Sequence, residues 1–505
     1  MDGNKRIAKN TIYLYIRTAF TMLLALYTSR VILKQLGVSD YGVYNAIGGV
    51  VAMFTTLSGT LSGATSRYIT FAIGKKDPDY LRRIFSTSLV IHIALAVIVI
   101  VLAETVGLWY VENKLNVPYG RSAAAMFVFQ TSVICFAVDI VTLPFNSAII
   151  AYERFGFFAT LDIVKACIKV ALVSSLALFR TDALIVFCIM ELCLMLFYKG
   201  SYVVYVKANF KDCRLVKVRD AGLFKELLGF TGWNFFGTAS SVVYTQGSNL
   251  MLNYYFGVLL NAAMGVTSQV SNAVNSFVSN FTLAVNPQIT KSYAANDFER
   301  TKDLLFLGSK ISSYLLLLVG FPVIANLDYV LDLWLVEVPE YSVVFITFAL
   351  LSAFFVSFNS PFNCLIFATG NIKAYQISCV LINVLSVVIL YFCMAARMNP
   401  IVIYILLILQ AILKLAVMLI LSKKAIDFPV GKFLVTVYGR SLCLVAVVFS
   451  VVLLKRHFPY DMNFLLFVGE SMLYVILMAM LIYFFGLNEG ERLYARNLIR
   501  QKMHL

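Results

Sequence analysis

Long apolar runs alternate with short polar segments along nearly the whole chain. About fourteen of these runs are close to the roughly 20 residues that an α-helix needs to cross a bilayer. They fall at 11–36, 42–72, 84–108, 122–149, 156–179, 182–206, 231–256, 258–286, 304–326, 341–367, 373–395, 400–421, 433–454 and 461–485. The pattern predicts an all-α polytopic membrane protein, whose first helix we expect to be retained because no small-residue cleavage site follows it.

The polar segments are alternately rich and poor in lysine and arginine. Basic residues concentrate near 5–9, 75–83, 207–219, 300–302, 423–424 and 492–502, and the segments between these loops carry few. Because basic loops stay in the cytoplasm, this alternation predicts that both termini are cytoplasmic. It also accounts for most of the net charge of +15, which therefore indicates contact with membrane lipids rather than nucleic acid.

Composition agrees with this class and argues against an enzyme. Hydrophobic residues make up 61% of the chain and charged residues 13%, which is typical of integral membrane proteins. There are three histidines, no phosphate-binding glycine-rich loop and no Ser, His and Asp cluster. The nine cysteines lie mostly in apolar runs, without the spacing of disulfide or metal sites. We therefore predict no catalytic residue, cofactor or metal site.

An internal repeat runs through the apolar segments. The stretch PFNSAIIA at 144–151 returns as PFNCLIFA at 361–368, and ITFAIGKKDPDYLRR at 69–83 aligns with ITKSYAANDFERTKD at 289–303. Gly37-Val38 aligns in the same way with Gly257-Val258. The matches keep their order and nearly constant spacing, so they indicate a duplication.

The repeat defines the predicted domain organisation. Helices 1–6 form an N-lobe at 1–206, a basic cytoplasmic linker follows at 207–222, and helices 7–12 form a C-lobe at 223–421. Residues 422–505 add helices 13 and 14 and a cytoplasmic tail. Since six is even, both lobes enter the membrane in the same orientation, which predicts a parallel repeat around a cavity. Rocking of one lobe against the other would then give alternating access, as in transporters.

Three features within this repeat resemble a known family. They are the segment SRVILKQLGVSDYGVYNAIGGV, the loop GKKDPDYLRR and a proline before an apolar run at the end of helix 4. With the extra C-terminal helix pair, they resemble polysaccharide flippases of the multidrug, oligosaccharidyl-lipid and polysaccharide exporter superfamily.

The resemblance implies a specific activity and location. It implies a transporter in the bacterial inner membrane that moves polyprenyl-diphosphate-linked oligosaccharide to the periplasmic leaflet, for O-antigen lipopolysaccharide or capsule biosynthesis. A polysaccharide polymerase would be a partner, and a lipid II flippase is a close alternative.

Cationic side chains inside the predicted spans lie almost entirely in the N-lobe. An ionisable group at the centre of a membrane helix costs about 2.5–3.5 kcal/mol, so it usually has a partner or a function. Guanidinium and ammonium groups bind phosphate well. The candidate substrate-binding cations are Arg17, Arg30, Arg67, Lys165 and Lys169. For Arg30 and Arg67, snorkelling to the headgroups is the competing interpretation.

Two carboxylates in the same helices are candidates for ion coupling or ion pairing. Counting residues from the helix ends places Asp139 level with Lys165, and Glu191 level with Lys169. These pairs would be either a structural ladder or part of a substrate site.

Helix 8 carries a polar stripe at helical spacing. Its members are Ser268, Gln269, Asn272, Asn275, Ser276, Ser279 and Asn280. We expect Gln269, Asn272 and Asn275 to bind sugar hydroxyls in the cavity, and packing against neighbouring helices is the alternative.

The repeated PFN motif predicts a pair of symmetry-related kinks. Pro144 and Pro361 lack an N–H and displace the carbonyl four residues earlier. With Asn146 and Asn363 beside them, they are candidate kink or gate residues at the inner mouth of the cavity.

The main rival function is a cation-coupled multidrug exporter of the same superfamily. That function needs a membrane carboxylate to bind and release Na⁺ or H⁺. Helix 1 carries arginines instead, and helix 7 carries no acid. Asp139 and Glu191 nevertheless keep this alternative open.

Overall fold

The protein is almost entirely α-helical. The structure, a computed structural model, describes residues 3–52, 55–113, 120–179, 181–216, 220–256, 258–335, 338–457 and 461–492. These ranges contain no strand, which confirms the predicted all-α class. The helices are α1 Gly3–Ala52, α2 Thr55–Lys75, α3 Pro78–Leu102, α4 Ser122–Ala151, α5 Phe155–Ser175, α6 Ala183–Asn209, α7 Ala221–Phe256, α8 Val258–Ala294, α9 Phe298–Ala325, α10 Ser342–Thr369, α11 Lys373–Ala395, α12 Val402–Ile426, α13 Val430–Lys455 and α14 Phe464–Gly486.

Nine of the described helices are long and apolar enough to cross a membrane. They are α3, α4, α6 and α9 to α14, so the chain is a multi-pass membrane protein. The other five predicted spans lie in α1, α2, α5, α7 and α8, which are also helical but more polar. These five helices include the ones that carry Arg17, Lys165 and Asn272, and polar side chains in a membrane bundle face its interior or a cavity.

The first helix bends at a glycine. Gly37 has φ 74° and ψ 168°, where the helices on either side meet inside α1. Only glycine adopts this conformation readily, because it has no Cβ. The predicted loop between helices 1 and 2 is therefore a single-residue bend, and its repeat partner Gly257 lies outside the described residues.

The repeat is visible in the loops that precede α3 and α9. Lys76 and Asn296 both adopt left-handed backbone conformations, with φ 56° and 59°. Each is followed by an aspartate, Asp77 or Asp297, whose carboxylate accepts a backbone N–H from the third residue on and caps the next helix. The same turn and the same cap therefore recur where the sequence repeat predicts them.

The chain forms two compact units. The first comprises 1–238 and 290–296, and the second comprises 239–289 and 297–505. The core of the first unit includes Val128 and Phe129 of α4 packed with Leu184 and Phe187 of α6, all nearly inaccessible to solvent. Because lipid is as apolar as these side chains, the cluster stabilises the unit through close packing rather than removal from water.

The second unit has a core of the same kind. Leu252 of α7, Phe345 of α10, Leu390 of α11 and Ile403 of α12 are completely buried or nearly so. The lobe boundaries at 206 and 223 stay a prediction from the sequence repeat.

Candidate functional site

A charged cavity of about 540 Å³ opens within the first unit. It lies among α1, α5 and α6, three helices that pack against one another. The lining residues are Arg17, Thr21, Leu24, Ala25, Thr28, Ile32, Tyr44, Asp162, Lys165, Ala166, Lys169, Phe187 and Tyr198. Of the predicted substrate-binding cations, three line this cavity together.

Arg17 is held by an ion pair and an aromatic ring. Its guanidinium lies 3.0 Å from the Asp162 carboxylate and 4.8 Å from the ring centre of Phe158. Asp162 also accepts a hydrogen bond from the hydroxyl of Tyr198, which is itself 2.7 Å from the hydroxyl of Tyr202. Arg17 is therefore held in one orientation at the cavity wall, and one carboxylate balances its charge.

The two predicted carboxylates are both paired with lysines. Glu191 lies 2.7 Å from Lys169, as counting from the helix ends predicts. Asp139 pairs with Lys199 of α6 and not with Lys165, so that part of the prediction is wrong. The physical reason is rotation about the helix axis, because equal depth does not make two side chains face each other.

Of the three cations that line the cavity, Lys165 is the one with no carboxylate within 4.0 Å among the described residues. Its ammonium lies 4.3 Å from the ring centre of Tyr198, in a cation–π contact. Around the cavity there are four cations, Arg17, Lys165, Lys169 and Lys199, and three carboxylates, Asp139, Asp162 and Glu191. One positive charge is left over, and Lys165 carries it.

Arg67 is not among the described residues that line this cavity. Arg67 is 8% exposed, and its guanidinium lies over the rings of Tyr68, Phe71 and Phe230 at 4.3, 4.8 and 5.5 Å. These three rings form an aromatic cage around the guanidinium of Arg67, inside the first unit. The side chain of Arg30 lies outside the described residues.

The polar stripe of α8 divides into two groups. The hydroxyls of Ser268, Ser276 and Ser279 donate to carbonyls of their own helix. Gln269 and Asn272 are exposed and Asn275 is half-buried. Gln269, Asn272 and Asn275 are therefore the members of the stripe whose side-chain amides are accessible to a ligand, and their predicted role in sugar binding stays a prediction.

The two PFN motifs differ in backbone. Pro144 lies inside the unbroken α4, whereas the hydrogen-bonding pattern of α10 is interrupted at Phe358, ahead of Pro361, where the backbone keeps helical dihedrals of φ −72° and ψ −25°. Ser357 carries the carbonyl that the proline was predicted to displace. Asn146 and Asn363 each have a buried side-chain oxygen with no hydrogen-bond partner in the described part of the chain. Their role as a gate stays a prediction.

Sequence reasoning missed two members of the charged cluster. Lys199 and Tyr198 lie in the apolar run of helix 6, where only Glu191 was singled out. The pattern that indicates them is a lysine in an apolar run with tyrosines at 198 and 202. The two tyrosines are four residues apart and therefore lie on one helix face.

A further charged cluster of the first unit lies where α4 and α6 begin, just ahead of their first helical residues. Arg121 donates to the carboxylates of Asp40 and Asp182, which come from α1 and from the start of α6. The hydrogen bonds from Arg121 lower the pKa of the Asp182 carboxyl. This cluster joins the part of α1 just after the bend at Gly37 to the starts of α4 and α6.

Comparison with known proteins gives a fold match without a sequence match. No family model matches the chain. No curated protein matches it either.

Solved structures do match. An outward-facing multidrug resistance MATE family transporter of the MOP superfamily superposes with a TM-score of 0.72 at 12% identity, covering 85% of this chain and 96% of that one. A MATE protein in its straight conformation gives 0.71 at 13%, covering 85% and 97%. A MOP superfamily transporter from Pyrococcus furiosus, in which reverse polarity of the binding pocket suggests a different function, gives 0.71 at 12%, covering 85% and 96%. At such low identity these likenesses show the fold, which is that of the MATE transporters of the MOP superfamily.

Proposed function

We propose that this protein is a membrane transporter that moves an anionic amphiphile, a polyprenyl-diphosphate-linked oligosaccharide, across the bilayer by alternating access. The observation that carries the proposal is the surplus positive charge of the cavity in the first unit. All three carboxylates there are engaged by cations, and Lys165 has none within ion-pair distance in the described residues. A diphosphate is the kind of group that such a cavity stabilises.

The chemistry of the cavity suits a diphosphate in two ways. The ammonium of Lys165 supplies a compact charge with three donors, and the guanidinium of Arg17 supplies a planar fork. Because Arg17 is already paired with Asp162, an incoming phosphate would compete with that carboxylate. Binding would then loosen the contact between α1 and α5, and so couple substrate entry to helix movement.

This function carries further expectations. The chain would lie in the bacterial inner membrane with both termini in the cytoplasm, among membrane lipids and beside a polysaccharide polymerase. It would serve O-antigen or capsule biosynthesis and need no cofactor. A lipid II flippase would be the same kind of transporter, with a different glycan on its substrate.

A cation-coupled multidrug exporter is the second candidate, and the solved structures favour it over the flippase. The matching transporters include one described as conferring multidrug resistance. Asp162, which lines the cavity, and Glu191, which pairs with the lining residue Lys169, would then release their cationic partners to bind H⁺ or Na⁺. Under this candidate, a cationic drug would replace the lysine or arginine.

A deletion strain distinguishes the two candidates. The flippase predicts that lipid-linked oligosaccharide accumulates in the cytoplasmic leaflet and that surface polysaccharide is lost, with unchanged sensitivity to cationic drugs. Drug sensitivity without stranded lipid-linked sugar would contradict the proposal and support the exporter. Complementation with the wild-type chain is the control, because it must restore whichever property was lost.

A further inference from the structure

A second pocket lies on the first unit, one helical turn before Arg17 along α1. Its volume is about 590 Å³, and its lining includes Arg6, Lys9, Asn10 and Tyr13 from α1 and Gly156 from α5. The charge pattern predicts this end of the unit to be cytoplasmic. The pocket is separate from the cavity that contains Lys165 and plays no part in the proposed transport step.

The single carboxylate of this pocket is already neutralised. The side chain of Glu153 is fully buried and lies 2.8 Å from Arg6 and 2.5 Å from Lys291. Lys9 and Arg154 line the same pocket, are exposed, and have no carboxylate within ion-pair distance among the described residues. The pocket therefore has an excess of positive charge.

The lining of the pocket also includes a buried hydrogen-bond donor without a partner. Asn10 is 6% exposed, and its Nδ2 has no partner in the described part of the chain. A buried donor without a partner is costly, and a ligand that accepts a hydrogen bond would remove that cost. This donor therefore favours an anion as the occupant.

The N-terminus of α5 adds further donors. The helix starts at Phe155 with Arg154 at its N-cap, where no side chain accepts from the first turn, and Gly156 lines the pocket. The first N–H groups of a helix have no partner within the helix and carry a partial positive charge, which makes them a site for phosphate.

The pocket is bordered by stacked aromatic rings. Phe157 stacks on Tyr205 with ring centres 3.7 Å apart, and Tyr152 stacks on Phe210 at 4.1 Å. Aromatic side chains of this kind are enriched at the level of lipid headgroups. The geometry thus combines an anion site with a surface suited to the membrane interface.

We propose that this pocket binds a phosphate group, held by Lys9, Arg154, the Asn10 amide and the N-terminus of α5. The phosphate belongs either to an anionic lipid headgroup or to a free phosphate ion. Binding at this position clamps the N-terminal part of α1 to the turn between α4 and α5.

The test is thermal unfolding of the full-length protein in detergent, titrated with dihexanoyl phosphatidylglycerol, dihexanoyl phosphatidylcholine or inorganic phosphate. The variants are Lys9→Gln/Arg154→Gln and, separately, Asn10→Leu. Lys211→Gln/Arg214→Gln is the matched control, because it removes two exposed cations from the linker after α6, outside the pocket. Elution as a single species by size exclusion verifies that each variant is folded.

We expect phosphatidylglycerol to raise the Tm of the wild type and of the control by at least about 2 °C more than phosphatidylcholine does. In Lys9→Gln/Arg154→Gln and in Asn10→Leu that difference should fall by more than half. A similar rise with inorganic phosphate identifies a free-ion site, and a rise with the lipid alone identifies a headgroup site. Equal shifts in the wild type and the pocket variants, or no shift in the wild type, would overturn the proposal.

Discussion

The two units build a corresponding helix contact from different chemistry. In the first unit, α1 and α5 are joined by the ion pair of Arg17 and Asp162 at 3.0 Å. In the second, α7 and α11 occupy the corresponding places of the repeat, and the Asn383 amide donates to Ser240 and Ser241 at 2.7 and 3.0 Å. Both units therefore have this helix contact, but its side chains are charged in the first unit and uncharged in the second.

This contrast indicates which of the two units is specific for a charged ligand. An amide that donates to two hydroxyls carries no net charge and offers only neutral hydrogen bonds, whereas an ion pair beside an uncompensated lysine attracts an anion. In our account, the first unit recognises the phosphates of the substrate. The uncharged polar side chains of the second unit are suited to sugar hydroxyls.

The largest effect on stability is expected when the ion pair is broken. Asp162→Ala should lower the free energy of unfolding by about 2–3 kcal/mol, because it leaves Arg17 and the Tyr198 hydroxyl without their acceptor in a poorly solvated place. Asn383→Ala should cost about 1 kcal/mol, since it removes only neutral hydrogen bonds. Denaturant titration in mixed micelles measures both.

The double variant Arg17→Leu/Asp162→Leu is the control for this comparison. Removing both charges should recover part of the loss seen in Asp162→Ala. Equal losses for Asp162→Ala and Asn383→Ala would show that the two contacts do not differ as proposed.

Substitutions at the bend in α1 and at its repeat partner test how far the repeat extends. Gly37→Ala should cost about 2 kcal/mol, because φ 74° with ψ 168° strains any residue that has a Cβ. Gly63→Ala is the control, since its added Cβ meets open space. The repeat predicts a similar loss for Gly257→Ala, and a neutral result there would limit the bend to the first unit.

The proline of the second unit has a close helix contact. A Cβ on Gly308 would lie 3.0 Å from Cγ of Pro361, so Gly308→Ala should cost about 1–2 kcal/mol. Gly320 lies on the same helix with nothing within 4 Å of an added Cβ, and Gly320→Ala should be neutral or stabilising by up to about 1 kcal/mol. If both variants unfold alike, Pro361 does not restrain α9.

The smallest effect is expected at the charged cluster around Arg121 in the first unit. Because Arg121 lowers the pKa of Asp182, the carboxylate contributes stability above the pKa of an unfolded aspartate and loses it as the pH falls through its own lowered value. Asp182→Asn keeps a capping side chain and should cost under about 1 kcal/mol at neutral pH. The Tm difference from wild type should shrink as the pH is lowered through the carboxyl range, and a constant difference would contradict this assignment.

Much of the fold follows from the sequence because membrane helices must satisfy their backbone internally. Apolar runs therefore predict the helices, and the repeat predicts that Asp77 and Asp297 occupy matching turns. Depth along a helix predicts the Lys169–Glu191 pair as well. It fails for Asp139, whose partner Lys199 depends on how α6 is rotated.

The aromatic cage of Arg67 could not be predicted from the sequence. Phe230 reaches it from α7, far along the chain, and no local pattern specifies such a contact. The pocket around Asn10 was missed for the same reason, since it combines the start of α1 with the turn after α4.

The most direct test of the cationic cavity is transport by purified Lys165→Glu in proteoliposomes. Its matched partner is Lys165→Arg, and each is assayed with labelled undecaprenyl-diphosphate oligosaccharide and with a cationic dye. If the cavity binds the diphosphate through its positive charge, Lys165→Glu should lose at least about tenfold in transport of the lipid-linked sugar, which corresponds to about 1.4 kcal/mol, while Lys165→Arg stays near wild type. Wild-type sugar transport by Lys165→Glu, or a wild-type protein that moves the dye and not the sugar, would contradict this proposal.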